Sequence, residues 1–344
     1  KPKTHYPIGD LKPERTNSFE VGMNMRFLKN FELDVTYYNA KTMNQTFNPE
    51  LPVGEYARIY IQTGAVRNQG LELALNYNNT WKDFTWNTGV TYSMNKNKIL
   101  TLADNAINPI TREKFSISSL NMGGLGSTRF ILKEGGSMGD IYSLMDLKRD
   151  ANGAVYIDEN NSVVTESLEA NNYIKLGSVL PKGNLAWRNN FSWKNINVAF
   201  LVSARLGGVV FSRTQAVLDN FGVSEASAAA RDKGYVSVNG NDRVNPEGWY
   251  SVVAGGTAVP QYYIYSATNI RLQEASIGYT IPRKWLGNVC DIKVSLIGRN
   301  LWMIYNKAPF DPESVASTDN FYQGIDYFMM PSLRNIGFNL SFKF

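Results

Sequence analysis

The feature that most constrains this chain is an alternation of apolar and polar residues. In the segment 331–344 the apolar residues occupy every second position: Ile336, Phe338, Leu340, Phe342 and Phe344. Successive side chains of a β-strand point to opposite faces, so this segment predicts a strand with one apolar and one polar face. Strands of this kind occur in soluble sandwiches and in transmembrane β-barrels, and the segment alone leaves both open.

The same alternation recurs along the chain, and the lengths of the connections between these segments distinguish a transmembrane barrel from a soluble sandwich. Short turns are predicted near 28–31, 79–82, 134–138, 194–196 and 282–288. They alternate with long connections near 46–63, 101–124, 149–182, 212–264 and 305–330. Loops this long are uncommon in compact soluble domains, whereas outer-membrane barrels have short periplasmic turns and long extracellular loops. The sequence therefore predicts an all-β fold, a transmembrane antiparallel β-barrel in the outer membrane.

The number of predicted strands indicates that the barrel is incomplete in this chain. About eleven strands are counted from the turn spacing, whereas bacterial single-chain barrels have an even number. We therefore expect at least one further strand before Lys1. The sequence also begins with neither an initiator Met nor a signal peptide. We interpret residues 1–344 as the C-terminal part of a β-barrel domain.

Composition argues against several other functions. No apolar run approaches the 18 residues of a transmembrane helix, and the single cysteine, Cys290, cannot form an intrachain disulfide. No Lys/Arg cluster suggests nucleic-acid binding. The one histidine, His5, has no obvious catalytic partners, and no nucleophile elbow, phosphate-binding loop or zinc motif is present. We predict no enzymatic activity and no cofactor, and a barrel-embedded hydrolase would need a Ser/His pair that is lacking.

One segment partly matches a calcium-binding loop. Asp150, Asn152 and Glu159 fall on ligand positions of the EF-hand pattern, but Lys148 stands where its first carboxylate belongs. The same Asp-Ala-Asn-Gly sequence is also an ordinary hairpin turn. Both interpretations remain open at this stage.

Aromatic residues in the long connections are the candidates for contact with a substrate or partner. Aromatic rings bind sugar rings and apolar side chains, and they also pack loops against one another. The candidates are Trp249, Tyr250, Tyr262, Tyr263, Phe321 and Tyr322. Asp311 and Glu313 flank Pro312, and they are expected to form a turn or, alternatively, to act as a carboxylate pair.

Four segments resemble a known family, the SusC/RagA-type TonB-dependent transporters. They lie at 11–22, 66–73, 269–282 and 298–302, and the Asp311-Pro-Glu step fits as well. The resemblance implies half of a 22-stranded barrel with a plugged lumen. It further implies a SusD-like surface lipoprotein as partner, contact with TonB through a plug-containing region before this chain, and a glycan or peptide as substrate.

Two expectations follow for the barrel and its mouth. Phe338, Leu340, Phe342 and Phe344 should contact outer-membrane lipid, with Asn339 and Ser341 in the lumen. The connection 212–263 should pack, together with 305–330, on the lipoprotein. The alternative is a structural or adhesive outer-membrane barrel without transport, which a plug and a TonB-binding segment elsewhere in the protein would exclude.

Overall fold

A computed structural model describes most of the chain and contains one large sheet. It covers residues 3–5, 12–48, 56–58, 60–107, 112–256, 258–287, 289–318 and 322–343. Nine antiparallel strands form the sheet, and each pairs with the next along the chain. They are β1 (Arg15–Phe27), β2 (Phe31–Phe47), β3 (Ile61–Trp81), β4 (Phe84–Thr101), β5 (Gly183–Trp193), β6 (Ile196–Leu206), β7 (Asn269–Ile281), β8 (Asp291–Asn306) and β9 (Asn335–Lys343).

The connections alternate in length, as the sequence predicts. Short turns follow β1, β3, β5 and β7, and long connections follow β2, β4, β6 and β8. Successive strands are antiparallel, so all the short turns lie at one end of the sheet and all the long connections at the other. β1 and β9 are the two edges of this open sheet. Both run toward the short-turn end.

The prediction of about eleven strands is too high, since the main sheet contains nine in the described residues. The turn predicted at 134–138 lies at the long-connection end, where the N–H of Gly135 donates to the carbonyl of Ile99 at 2.8 Å. Its flanking strands, Thr128–Lys133 and Asp140–Ser143, belong to a separate four-stranded sheet. β4 pairs directly with β5, which leaves no place for them in the wall.

The register places apolar residues from all nine strands on one face. Phe338, Leu340 and Phe342 pair with Leu296, Val294 and Ile292, and this correspondence continues across the sheet to β1. Polar residues such as Asn339 and Ser341 share the other face. Phe344 lies outside the described residues. In a barrel the apolar face contacts lipid and the polar face lines the lumen.

Aromatic rings form a continuous belt on the apolar face near the short turns. Phe27 stacks on Phe31 at 5.3 Å between ring centroids, and Phe31 contacts Tyr77 at 4.7 Å. Tyr77 then meets Trp86 at 5.3 Å, and Trp86 stacks on Phe191 at 6.0 Å. Belts of this kind mark the membrane–water interface of outer-membrane barrels.

The remaining elements lie in the connections or near the chain start. The helices are α1 (Arg213–Asn220), α2 (Glu225–Lys233) and α3 (Pro246–Val253), with 3₁₀ turns at Pro260–Tyr262 and Arg283–Leu286. The other strands are Lys3–His5, Tyr56–Arg58, Ala103–Ile107, Lys114–Ile117, Ser119–Asn121, Thr128–Lys133, Asp140–Ser143, Met145–Leu147, Thr165–Ser167, Ile174–Ser178, Val209–Ser212, Val236–Val238, Asp242–Val244, Ile264–Ser266 and Ile325–Asp326. Among the described helices, none combines the length and the apolar character needed to cross a bilayer.

Candidate functional site: the extracellular cap

Three long connections fold together into one body, here called the cap. It consists of the described residues of 102–182, 207–268 and 307–334. All three contribute to one buried hydrophobic core, for example Phe130 and Ile141 from the first, Phe211 and Val253 from the second, and Ile325 from the third. The cap is therefore a folded unit rather than a set of independent loops.

Hydrogen bonds join the second and third connections. The carbonyl of Gly324 accepts from the N–H of Phe211 at 2.8 Å, within a short parallel strand pair. Ser212 caps the N-terminus of α1 by accepting from the N–H of Gln215 at 3.0 Å. The same hydroxyl donates to the buried carboxylate of Asp326 at 2.6 Å, so the helix start is tied to the third connection.

A buried carboxylate holds the helical part of the cap. Asp219, at the end of α1, accepts from the hydroxyl of Ser224 at 2.5 Å and from the hydroxyl of Tyr263 at 2.9 Å. Ser224 is in turn the N-cap of α2. Burial raises the pKa of Tyr263 far above its ordinary value, and the neighbouring Asp219 raises it further. Tyr263 is therefore a permanent hydroxyl donor to Asp219.

The predicted contact residues fall in different environments. Tyr263 is only 2% exposed, so it belongs to the cap core and presents no surface to a partner. Trp249 packs edge-on against Tyr262 at 5.2 Å between centroids, and Tyr262 remains 39% exposed. Tyr322 is exposed and packs beside Phe130, with ring centroids 6.2 Å apart. Phe321 lies outside the described residues.

Tyr250 lines a concavity between the three helices. The space measures about 510 Å³ and is also bordered by Phe221, Arg231 and Glu247. Burial raises the pKa of Tyr250, with a further contribution from Asp219. The concavity combines an aromatic wall with one cation, Arg231, and two carboxylates, Asp219 and Glu247, a lining that accepts polar groups of either charge.

The segment with the calcium-like pattern forms two consecutive hairpin turns. Asp150 accepts from the N–H groups of Asn152 at 2.8 Å and Ala154 at 2.9 Å. Asp158 repeats this arrangement in the next turn, which contains Glu159. Throughout the described residues, no group of three or more His, Cys, Asp or Glu side chains is placed to hold a metal ion. We therefore do not propose a calcium site.

The sequence did not predict the ionic cluster that fastens the cap to the wall. Arg271 of β7 is 5% exposed and donates to both carboxylate oxygens of Asp311, at 2.8 and 3.1 Å. It also pairs with Glu313 at 2.8 Å and donates to Asn269 at 3.1 Å. Arg271 and Asn269 lie in the 269–282 segment and Asp311 in the Asp-Pro-Glu step, two segments that carry the family resemblance.

The ionic cluster lowers the pKa of Asp311. Burial alone would raise the pKa of this carboxyl. Hydrogen bonds from Arg271, Ser332 and the N–H of Glu313, together with the charge of Arg271, outweigh burial and lower the pKa below its ordinary value. The turn predicted at Pro312 is also present, since the N–H of Glu313 donates to Asp311 at 3.0 Å.

Below the cluster, the polar face of the wall forms a second concavity. It measures about 720 Å³ and is lined by side chains of β2 to β7 together with Glu313 from the cap. Charged residues at its border are Asp34, Glu72, Arg205 and Glu313. The cap therefore reaches the lumenal face of the wall.

Comparisons with known proteins identify the class of this barrel. The family described as TonB dependent receptor-like, beta-barrel matches residues 3–301. The chain belongs to this family, and it is therefore part of an outer-membrane barrel. It is 25% identical to TonB-dependent receptor P3 of Formosa agariphila over 99% of its own length and 35% of the relative. TonB-dependent receptor P26 of the same organism is 27% identical, over 97% of the chain and 35% of the relative.

Solved structures show the same fold. The RagAB peptide importer in its open-open state superimposes with a TM-score of 0.71 at 17% identity, covering 97% of this chain and 35% of that one. Its closed-closed state gives a TM-score of 0.69 at 16% identity, with 96% and 35% covered. The chain thus spans about a third of the length of the relatives that it matches.

Proposed function

We propose that this chain is the C-terminal wall and extracellular cap of a TonB-dependent importer that takes up a nutrient across the outer membrane. Family membership over residues 3–301 is the observation that carries the proposal. The fold supports it, because one face of the wall is apolar and the opposite face is polar, as a lumen requires.

The wall and cap have separate tasks in this proposal. The polar face of β1–β9 lines a lumen that holds a plug domain, supplied by a part of the protein outside this chain. TonB acts on that part and displaces the plug. The cap surrounds the entrance, and the Arg271 cluster holds it against the lumenal face.

We further propose that a SusD-like surface lipoprotein docks on the cap. The fold shared with the RagAB importer supports this partner. Two apolar side chains project from the turn between α1 and α2, Phe221 at 73% and Val223 at 68% exposed. They stand on a rigid base, because Asp219 and Ser224 on either side of the turn are hydrogen-bonded to each other. Aromatic residues, Phe among them, are enriched in protein–protein interfaces.

The remaining contact candidates fit the same region. Trp249 and Tyr250 lie on α3, and Tyr262 lies in the 3₁₀ turn Pro260–Tyr262. Tyr250 and Phe221 border one concavity. The substrate is a glycan or an oligopeptide, since aromatic rings bind sugar rings and apolar side chains alike. The mixed charges of the concavity favour neither of these two substrate classes.

The docking proposal is tested in the full-length transporter with the double variant Phe221→Ser/Val223→Ser. Deleting residues 225–250 would be less informative, because it removes Val238 and Val244 from the cap core. We expect lipoprotein co-purification and substrate uptake to fall while the barrel still inserts and the cap resists protease. A matched control is Tyr156→Ser, which alters an exposed aromatic residue of the first connection.

The import proposal has its own test. Uptake of labelled glycans and peptides should stop when TonB is deleted, and one of the two classes should compete with the natural cargo. Unchanged uptake without TonB would contradict active import and favour a structural or adhesive barrel.

A further inference from the structure

Each of the four short turns carries a lysine. Lys29 follows β1, Lys82 follows β3, Lys194 follows β5 and Lys284 follows β7. All four side chains are exposed. Since the short turns share one end of the sheet, the lysines form a row along the periplasmic rim, here called the lysine row.

Turn geometry does not explain these lysines. Three of them occupy left-handed backbone conformations, with φ of 63° at Lys29, 53° at Lys82 and 50° at Lys194. Glycine and asparagine adopt this region most readily, and they dominate tight hairpin turns. Lysine offers no advantage to the backbone here, so its charge is the property that requires explanation.

The other charged groups at this rim leave the lysine row largely uncompensated. Arg26 pairs with Glu32 at 3.4 Å, and Arg283 lies 3.9 Å from Asp291. Lys343, at the end of β9, stands opposite Asp291 in the sheet register. Among the described residues of the four short turns, Asp83 is the one acidic residue. The rim therefore carries an excess of positive charge.

Tryptophans accompany the lysine row. Trp81, Trp193 and Trp285 neighbour three of the lysines in sequence and are 47%, 53% and 66% exposed. The ammonium of Lys194 lies 5.3 Å from the ring centroid of Trp193. Indole rings favour the membrane interface, and long lysine side chains lie along apolar surface while their charge reaches the headgroups.

We propose that the lysine row binds the phosphate groups of phospholipids in the periplasmic leaflet of the outer membrane. The adjacent tryptophans lie where acyl chains meet headgroups, which favours a lipid over a free anion as the source of the phosphate. Binding fixes the depth of the wall in the bilayer.

The test uses the purified full-length transporter in mild detergent, with phosphatidylglycerol as the probe. Bound lipids are counted by native mass spectrometry during a titration. Replacing all four residues (Lys29→Gln, Lys82→Gln, Lys194→Gln and Lys284→Gln) should weaken phosphatidylglycerol binding roughly tenfold or more, given the known contribution of each basic residue near an anionic surface. Diacylglycerol, which lacks phosphate, should bind equally to both proteins.

Two further variants separate charge from turn structure. A control set on the long-connection side, Lys96→Gln, Lys98→Gln, Lys114→Gln and Lys148→Gln, should keep wild-type affinity. The set Lys29→Asn, Lys82→Asn and Lys194→Asn suits the left-handed backbone, so it should keep the barrel folded and still lose lipid affinity. Affinity within twofold of wild type in the lysine-row variants would overturn the proposal. So would an equal loss in the control set, or full competition by soluble glycerol phosphate.

Discussion

Apolar side chains have opposite environments in the wall and in the cap. In the wall, large apolar side chains stay exposed in the structure, such as Phe338 at 81% and Ile277 at 53%, because lipid is their solvent. In the cap, Phe130 and Phe211 are completely buried among residues from three distant connections. The wall therefore depends on pairing between neighbouring strands, and the cap depends on contacts that are remote in sequence.

This difference predicts how each region responds to mutation. The effect of a substitution in the wall should depend on the face of the sheet that the residue occupies. The effect of a substitution in the cap should depend on the contacts that are lost. The Arg271 cluster is where the two regions meet, and it should show the largest effect of losing a partner.

Arg271→Met should destabilise the attachment of the cap by about 3–5 kcal/mol, because it leaves the carboxylates of Asp311 and Glu313 without their cation. Protease sensitivity of residues 307–334 and denaturant unfolding of the cap measure this effect. The matched control is Arg299→Met, which breaks the exposed pair with Glu274 and should cost less than about 1 kcal/mol. Equal losses in the two variants would show that the cluster is not a special attachment.

Tyr263→Phe should destabilise the cap by about 1–3 kcal/mol, since Asp219 loses one of its two hydroxyl donors in a buried site. Tyr262→Phe removes a hydroxyl from an exposed neighbour and should change stability by less than about 0.5 kcal/mol. Thermal unfolding followed by aromatic near-UV signals distinguishes the two. A greater loss for Tyr262→Phe would contradict the assignment of Tyr263 to the core.

Acidification should release the cap at low pH through Asp311. The pKa of this carboxyl is lower in the folded protein than its ordinary value of 3.8, so its contribution to stability is complete above that value. The contribution is lost as the pH falls through the folded pKa, below pH 3.8. Cap unfolding measured between pH 7 and pH 2.5 should show this loss in the wild type. The Asp311→Asn variant should not show this loss. A pH profile of the variant that matches the wild type would contradict the assignment of the loss to Asp311.

The wall was predictable because its signal is local. Alternation in β1–β4 and β6–β9 and the short turns after β1, β3, β5 and β7 could all be recognised from neighbouring residues. The extra pair of predicted strands came from Thr128–Lys133 and Asp140–Ser143, which also form a hairpin but are buried within the cap. Strand pattern alone does not distinguish a wall hairpin from a cap hairpin.

The cap was not predictable because its contacts are remote. Tyr263 meets Asp219 across 44 residues and Arg271 meets Asp311 across 40. The helices did leave local signals: Ser224 before an Ala-rich run that ends at Gly234, and Asn245 directly before Pro246, the first residue of α3. These capping patterns are recognisable in a sequence and would have identified α2 and α3.

Arginine substitutions on the two faces of one strand, made in the full-length protein, test the assignment of the faces most directly. Leu340→Arg places a charge on the apolar face, and Asn339→Arg places it on the polar face of β9. We predict a loss of about 2–4 kcal/mol in the free energy of unfolding for Leu340→Arg and a far smaller loss for Asn339→Arg. Equal losses at the two positions would contradict the assignment of one face to lipid and the other to the lumen.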